Sequence, residues 1–183
     1  ARAARALGGP WLVVAPKVSL TAWHRTAERM GCADQLFGVI NPEQISKPRG
    51  CEFYTRDRKW TLPRGTSVVW DEPHRSASGP KSVSTRALAE LRAYARYVHP
   101  MTATLADSPL KLRAIGWLCG LHDYNDSSFY GWCRSHGCTD QEVGGFSSPG
   151  RRALKFTTNA RAAVEHMAAI RRELNGMFMA VRA

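Results

Sequence analysis

Short apolar runs alternate with amphipathic stretches through the first hundred residues of the chain. The runs have the length of strands and predict strands at 11–16, 36–41 and 66–70. The stretch 97–105 predicts a short strand that leads into a loop rich in small hydroxyl residues. Between them, apolar residues recur at helical spacing in 19–31 and 85–97, with Ser19 placed to cap the first helix. Strands that alternate with helices are typical of an α/β fold in which helices cover both faces of a mostly parallel sheet.

The apolar runs lead to a specific expectation about the sheet. A sheet that is covered on both faces needs strands that are apolar on both sides. We therefore expect six valines to lie in central strands of one sheet: Val13, Val14, Val39, Val68, Val69 and Val98. The stretch 47–65 interrupts the alternation, because it is polar, basic and punctuated by proline and glycine, which indicates an irregular excursion or a hairpin before the strand at 66–70.

The chain changes character after residue 108. Helical spacing recurs in 109–121, 127–137 and 158–175, and the sequence predicts no further strand. The aromatic residues of this part favour a helix core over a base-stacking surface: Trp117, Phe129, Tyr130 and Trp132. We therefore interpret the chain as one domain, with an α/β core over 1–108 and a mainly helical extension over 109–183.

Positive charge dominates the composition. The 183 residues include 26 Lys and Arg against 15 Asp and Glu, which gives a formal net charge of +11. Such an excess favours a polyanionic partner such as nucleic acid, although a basic, arginine-rich proteome would give the same composition without that role.

The length of the apolar segments and the number of cysteines indicate the cellular compartment of the protein. No apolar segment approaches the length of a membrane span, and the five cysteines are an odd number, which suits reduced thiols. These features predict a soluble, cytoplasmic protein of bacterial or phage-like origin, or a nuclear one in a eukaryote, with no membrane partner. The cysteines and histidines of 119–138 are not spaced like paired Cys-x-x-Cys zinc ligands, so we interpret them as structural.

Two adjacent carboxylates follow the apolar strand at 66–70. In TSVVWDEPHR, Asp71 and Glu72 lie where the strand leaves the sheet, and His74 follows. Ligands of parallel α/β sheets bind at this edge, so the position is suited to chemistry. The alternative is an ordinary turn, because Asp, Pro and Ser commonly end strands.

Five short motifs occur in order along the chain: LVVAPKVSLTAWHRTAERM, GVINPEQI, DEPHR, GPKSVSTRALAEL and MTATL. In this order they resemble the first RecA-like lobe of superfamily 2 helicases and translocases, most closely the Swi/Snf-like branch. The corresponding family motifs are a strand ending in Ala-Pro-Lys before a helix with an early Trp, INYE, Asp-Glu-Ala-His, a lysine and serine-rich segment, and Thr-Gly-Thr-Pro. The tail IRRELNGMFMAVRA is similar to the degenerate end of that lobe.

The chain departs from the family pattern at several points. Pro42 replaces the tyrosine of INYE, Pro73 is the third residue of the acidic motif, and TATL lacks the glycine and the proline. The phosphate-binding Gly-x-x-x-x-Gly-Lys-Thr loop is absent from the sequence. In the family this loop lies just before a helix that ARAARAL, at 1–7, would finish, so the resemblance implies a lobe that starts directly after its phosphate site.

The resemblance implies a role for each residue of the acidic motif. Asp71 would hold Mg²⁺ through its water shell, and Glu72 would orient or deprotonate the water that attacks the γ-phosphate. His74 would couple this nucleotide site to the hydroxyls of Thr102 and Thr104, which would also lie near the nucleotide. We expect these side chains to converge at the carboxyl ends of neighbouring strands, within one or two water lengths of His74.

The resemblance also implies a nucleic-acid surface. Pro16 and Lys17 follow the first strand where the lobe would contact a phosphate backbone, and Arg75 and Lys81 add positive charge near the acidic motif. The alternative for these basic residues is a solvated surface.

Together the motifs predict the first motor lobe of a nucleic-acid-dependent ATPase, a helicase or translocase, with DNA favoured over RNA as the nucleic acid and RNA left as an alternative. The intact motor would use ATP and Mg²⁺, with its phosphate loop and second lobe supplied by a longer chain or a partner chain. The isolated chain is expected to bind neither cofactor and to be inactive. The alternative is a non-catalytic DNA-binding or scaffolding module derived from the same fold.

Overall fold

The computed structural model describes residues 9–47, 49–77, 79, 81–102, 106–142 and 152–175. The chain divides into two compact units, Ala1–Thr104 and Leu105–Ala183. The elements of the first unit are, in order, β1 (Trp11–Val14), α1 (Leu20–Arg29), β2 (Leu36–Ile40), α2 (Pro42–Ser46), β3 (Ser67–Asp71), α3 (Pro73–Ser76), α4 (Val83–Tyr94) and β4 (Tyr97–Met101). The helix predicted for 1–7 lies outside the described residues.

The four strands of the first unit form one parallel sheet in the order β2-β1-β3-β4. This confirms the predicted α/β class, and all six valines lie in this sheet. The prediction of a central position is wrong for Val39 and Val98, because β2 and β4 are the outer strands. The central strands β1 and β3 are almost entirely buried, whereas the outer strands are mostly half-buried or exposed.

Helix α1 covers one face of the sheet. A buried cluster joins Trp11 and Val13 of β1 and Val69 of β3 to Ala27 of α1. Trp23 of α1 packs against this cluster, and its ring meets that of Trp11 edge to face at a centroid distance of 6.4 Å. The apolar stripe predicted for this helix therefore faces the sheet, as an amphipathic helix requires.

Helices α2 and α4 lie on the opposite face, together with part of the stretch 47–65. Strand side chains alternate between faces, so Trp70 lies opposite to Val69. The ring of Trp60 lies 6.5 Å from that of Trp70, and its Nε1 donates to the Ala87 carbonyl of α4 at 2.8 Å. Both faces of the central strands are thus covered, which explains why those strands are apolar throughout.

Side-chain caps determine where two helices begin. The Ser82 hydroxyl accepts from the Thr85 amide at the start of α4. Asn41 and Gln44 form a reciprocal capping box at the start of α2, with distances of 2.9 and 2.8 Å, and this short helix was not predicted. Ser19 makes no such bond, so its predicted capping role is wrong, because a 3₁₀ turn already occupies the position.

The second unit is helical with an additional hairpin. Its elements are α5 (Arg113–Leu118), α6 (Asp126–Ser135), β5 (Cys138–Glu142), β6 (Arg152–Phe156) and α7 (Ala160–Asn175). Strands β5 and β6 pair in antiparallel register, so the prediction that no strand follows residue 108 is wrong. Most positions of both strands are exposed or half-buried, and their sequences therefore contain no apolar run.

A buried arginine lies at the centre of the second unit. The Arg113 guanidinium donates to the Tyr124 carbonyl at 2.6 Å, pairs with Asp126 at 2.6 Å and lies over the rings of Tyr124 and Phe129. A buried charge is tolerated when it is paired and hydrogen-bonded in this way. None of the helices in the described part of the chain combines the length and the apolar character that crossing a membrane requires.

Candidate functional site

The carboxyl ends of β1, β3 and β4 lie side by side along one edge of the sheet. β3 is paired in parallel register with β1 on one side and with β4 on the other, as far as Asp71 and Met101. The Glu72 amide then donates to the Met101 carbonyl at 2.7 Å, which extends the pairing by one step. The residues that follow these strands therefore meet at the edge where parallel sheets bind ligands.

Glu72, His74 and Thr102 form a hydrogen-bonded cluster at this edge. Thr102 Oγ1 lies 3.1 Å from Glu72 Oε2 and 3.0 Å from His74 Nδ1, and Nδ1 lies 3.3 Å from Oε2. A carboxylate only accepts, so the Thr102 hydroxyl donates to Glu72 and accepts from the N–H of His74. The predicted convergence is confirmed for these three residues. Thr104 lies outside the described residues.

The geometry of the cluster limits its chemistry. In a nucleophilic triad the carboxylate binds one ring nitrogen of the histidine, and the hydroxyl binds the other. Here Glu72 and Thr102 both contact Nδ1 of His74. The arrangement therefore does not activate the threonine as a nucleophile, and it instead fixes the orientation of the glutamate carboxylate at the edge of the sheet.

Asp71 is oriented by a contact that the sequence did not predict. The indole Nε1 of Trp23 donates to Asp71 Oδ2 at 3.2 Å, across 48 positions of the chain. The indole is held by its packing on the cluster beneath α1. Trp23 is thus a positioning residue, and its only signal in the sequence is its place in the motif that follows β1.

Glu72 adopts a left-handed backbone conformation, with φ 50° and ψ 51°. Pro73 follows at the first position of α3. A non-glycine residue in this region is strained, and such strain persists where the surrounding structure enforces it, often at functional sites. This conformation turns the chain sharply after β3. Neighbouring residues of the acidic motif can therefore point in different directions.

We expect Glu72→Gly to be more stable than Glu72→Ala by roughly 0.5–1 kcal/mol, because only the alanine keeps a Cβ in the left-handed region. Both variants lose the same carboxylate contacts, so their difference reflects the backbone strain reduced by the larger entropy that glycine loses on folding. Urea unfolding followed by circular dichroism measures it. As a control, the same pair at exposed Glu28, inside α1, should give the opposite order, since glycine weakens a helix by about 1 kcal/mol relative to alanine. Equal stabilities at position 72 would contradict the expected strain.

The predicted nucleic-acid residues lie at several places around the same unit. Pro16 follows β1, and Lys17 is exposed in the 3₁₀ turn before α1. Arg75 is exposed on α3, and Lys81 is exposed just before the capping residue of α4. The Arg75 amide donates to the Glu72 carbonyl at 3.0 Å, so the backbone of α3 joins this residue to the Glu72 cluster. Lys17, Arg75 and Lys81 are exposed. Such basic residues occur both on surfaces that bind a partner and on surfaces that are only solvated.

Asp71 could contact a metal ion through water, whereas the residues at this edge do not form a nucleotide site by themselves. Mg²⁺ in nucleotide sites is held through one or two carboxylates and the substrate phosphates, so the half-buried, oriented Asp71 fits a water-mediated contact. The sequence contains no Gly-Lys-Thr loop to cradle the phosphates, so these residues alone do not fit ATP. In the described part of both units, no three Cys, His, Asp or Glu side chains are grouped to hold a metal ion.

Two cysteines of the second unit have the properties of packing residues. A hydrogen bond with the Cys138 thiol, together with burial, raises the pKa of Cys133. Burial raises the pKa of Cys119 to about 11. Zinc binds the thiolate, which the surroundings of Cys133 and Cys119 disfavour, whereas the hydrogen bond with Cys133 lowers the pKa of Cys138. These pKa shifts support the structural interpretation for Cys133 and Cys119.

Comparison with protein-family models, with curated proteins and with solved structures gives no match for this chain.

Proposed function

We propose that this chain is the first motor lobe of a nucleic-acid-dependent ATPase, a RecA-like helicase or DNA translocase. The observation that carries the proposal is the contact of Glu72 and His74 with Thr102. These residues come from two motifs that lie 30 positions apart, and the family resemblance implies that the two motifs couple to each other. A turn with no function would not need this contact.

Each residue of the acidic motif has a task in the proposed motor. Asp71, oriented by Trp23, contacts the water shell of Mg²⁺, which neutralises phosphate charge when it is bound. Glu72 orients the attacking water and accepts its proton. Thr102 and His74 hold the glutamate carboxylate in place and are positioning residues.

The partners follow from the same proposal. Phosphoryl transfer is catalysed mainly by positioning and charge neutralisation, and the chain lacks the lysine and amide cradle for the phosphates. The phosphate loop and the second lobe are therefore proposed to come from a longer form of the protein or from a partner chain. DNA is the proposed polyanion, contacted through Lys17 and the surplus of arginine.

The second candidate is a non-catalytic DNA-binding or scaffolding module, which the departures of DEPH and TATL from the family motifs favour. The left-handed backbone at Glu72 favours the motor instead. That conformation costs of order 1–3 kcal/mol, and a module that had lost its nucleotide site would have no use for the strain.

Calorimetry with MgATP tests the proposal. The 183-residue chain should show no binding at micromolar concentrations, whereas the product of the complete reading frame should bind MgATP and hydrolyse it when DNA is added. Micromolar binding by the 183-residue chain that vanishes in Asp71→Ala would mean that a phosphate site exists within the chain. A complete product that neither binds nor hydrolyses ATP would overturn the motor and leave the scaffolding module.

A further inference from the structure

The stretch 47–65, between α2 and β3, is named here the basic excursion. It contains six basic and two acidic side chains, so it carries a net charge of +4 out of the chain's +11: Lys47, Arg49, Arg56, Arg58, Lys59 and Arg64 against Glu52 and Asp57. Among its described residues, 47 and 49–65, the pairing consists of two isolated β-bridges, Cys51 with Tyr54 and Tyr54 with Trp60. The excursion therefore concentrates positive charge on a segment with little regular structure.

Buried aromatic side chains anchor the basic excursion to the first unit. Phe53 packs so closely on Gly38 of β2 that a Cβ at that glycine would lie 2.6 Å from the Phe53 ring. Tyr54 is fully buried, and its hydroxyl donates to Glu90 of α4 at 3.2 Å. Trp60 is 4% exposed and bonded to α4. The segment is thus attached to β2 and to α4 at three points.

Most charged side chains of the basic excursion are exposed to solvent. Five of its basic residues are exposed: Lys47, Arg49, Arg56, Lys59 and Arg64. The sixth, Arg58, is half-buried and donates to the Ile45 carbonyl at 3.5 Å. None of the ion pairs that join described residues involves the five exposed ones. Like charges on an anchored segment repel one another, and a polyanion relieves that repulsion.

We propose that the basic excursion binds the phosphate backbone of DNA. The inference extends the nucleic-acid part of the proposed function and does not depend on ATP hydrolysis. All three aromatic rings are buried, so they are not available to stack on bases. The exposed groups are arginines and lysines, which contact phosphates irrespective of sequence. The surface therefore supplies sequence-independent, salt-dependent affinity, and it lies apart in the sequence from Lys17, Arg75 and Lys81.

Fluorescence anisotropy with a labelled DNA duplex, measured over a series of salt concentrations, tests the inference on the 183-residue chain. The triple variant Arg56→Gln, Lys59→Gln, Arg64→Gln should bind about tenfold more weakly, and the slope of log K against log salt should fall by about 2–3. The matched control is Arg161→Gln, Arg171→Gln, Arg172→Gln, three exposed arginines of α7, which changes the net charge equally. It should keep most of the affinity and the slope.

Circular dichroism of both triple variants first establishes that they are folded. Equal losses in the two variants would overturn the inference, because net charge and not this surface would then govern binding. An unchanged slope in the excursion variant would also overturn it, and binding of polyglutamate in preference to DNA would indicate an acidic protein partner instead. If the excursion variant loses DNA binding as expected but the complete product hydrolyses no ATP, only the proposed motor fails.

Discussion

Glu72→Gln should lower DNA-stimulated ATP hydrolysis by the complete motor by at least about 100-fold, the usual contribution of a general base. The variant should leave the binding of MgATP and DNA nearly unchanged, because the lost group acts in the transition state. Glutamine has the size of glutamate and still accepts a hydrogen bond from Thr102, but its amide takes up no proton. The turnover number is the measurement, from a coupled assay at saturating DNA.

Glu28→Gln is the matched control for this prediction. Glu28 is exposed on α1 of the same unit, so its substitution changes the net charge in the same way without touching the edge of the sheet. Its turnover should equal that of the wild type. Full activity of Glu72→Gln would show that DEPH is a turn, and the contact with Thr102 would then serve the fold alone.

Trp60→Ala should lower the free energy of unfolding of the 183-residue chain by about 3–5 kcal/mol, as is typical when a buried aromatic side chain is truncated. The ring is 4% exposed, lies 5.0 Å from Tyr54 and 6.5 Å from Trp70, and donates a hydrogen bond to Ala87. The truncation would leave a cavity between β3 and α4. Urea unfolding followed by circular dichroism at the helix band measures the change.

Trp60→Phe separates packing from hydrogen bonding at the same position. Phenylalanine keeps most of the ring volume but lacks the N–H, so we expect a smaller loss of about 1–2 kcal/mol. A loss below about 1 kcal/mol in Trp60→Ala, well under the usual range, would show that the basic excursion is not anchored to the core.

Strand β3 connects the residues that these two predictions concern. Trp70 contacts the anchor of the basic excursion on one face of the sheet, and the next residue, Asp71, is bonded to Trp23 of α1 on the other. Strand β3 therefore contacts the anchor of the basic excursion and also ends at the proposed nucleotide edge. A double-mutant cycle of Trp60→Phe and Trp23→Phe measures how strongly the anchor of the basic excursion and the edge of the sheet are coupled.

Much of the first unit could be predicted from the sequence. The strands at 11–14 and 67–71 are apolar on both sides, and only a sheet covered on both faces buries such runs. The meeting of Glu72 with Thr102 was an expectation from the family resemblance, which places the strands that end in these two motifs side by side. The basic excursion was predictable as irregular because of its prolines and glycines.

Other features were decided only by tertiary structure. The hairpin β5–β6 has exposed polar strands, which pair because of their backbone and not because of an apolar pattern. The positions of β2 and β4 at the two edges of the sheet depend on how the crossover helices pack. No local sequence pattern determines that packing. The short helix α2 had a local signal, the capping box of Asn41 and Gln44, but little apolar periodicity to support it.

The sequence by itself thus determined which segments bury their side chains and which residues end the strands, because burial follows from local alternation of apolar and polar positions. Tertiary structure alone decided three features of the edge: the bond from Trp23 to Asp71, the left-handed backbone of Glu72, and the shared contact of Glu72 and Thr102 with His74 Nδ1. The left-handed backbone persists because the surrounding structure enforces it. The two contacts depend on distances between residues that lie apart in the chain. Such distances are fixed only when the helices and the sheet pack together.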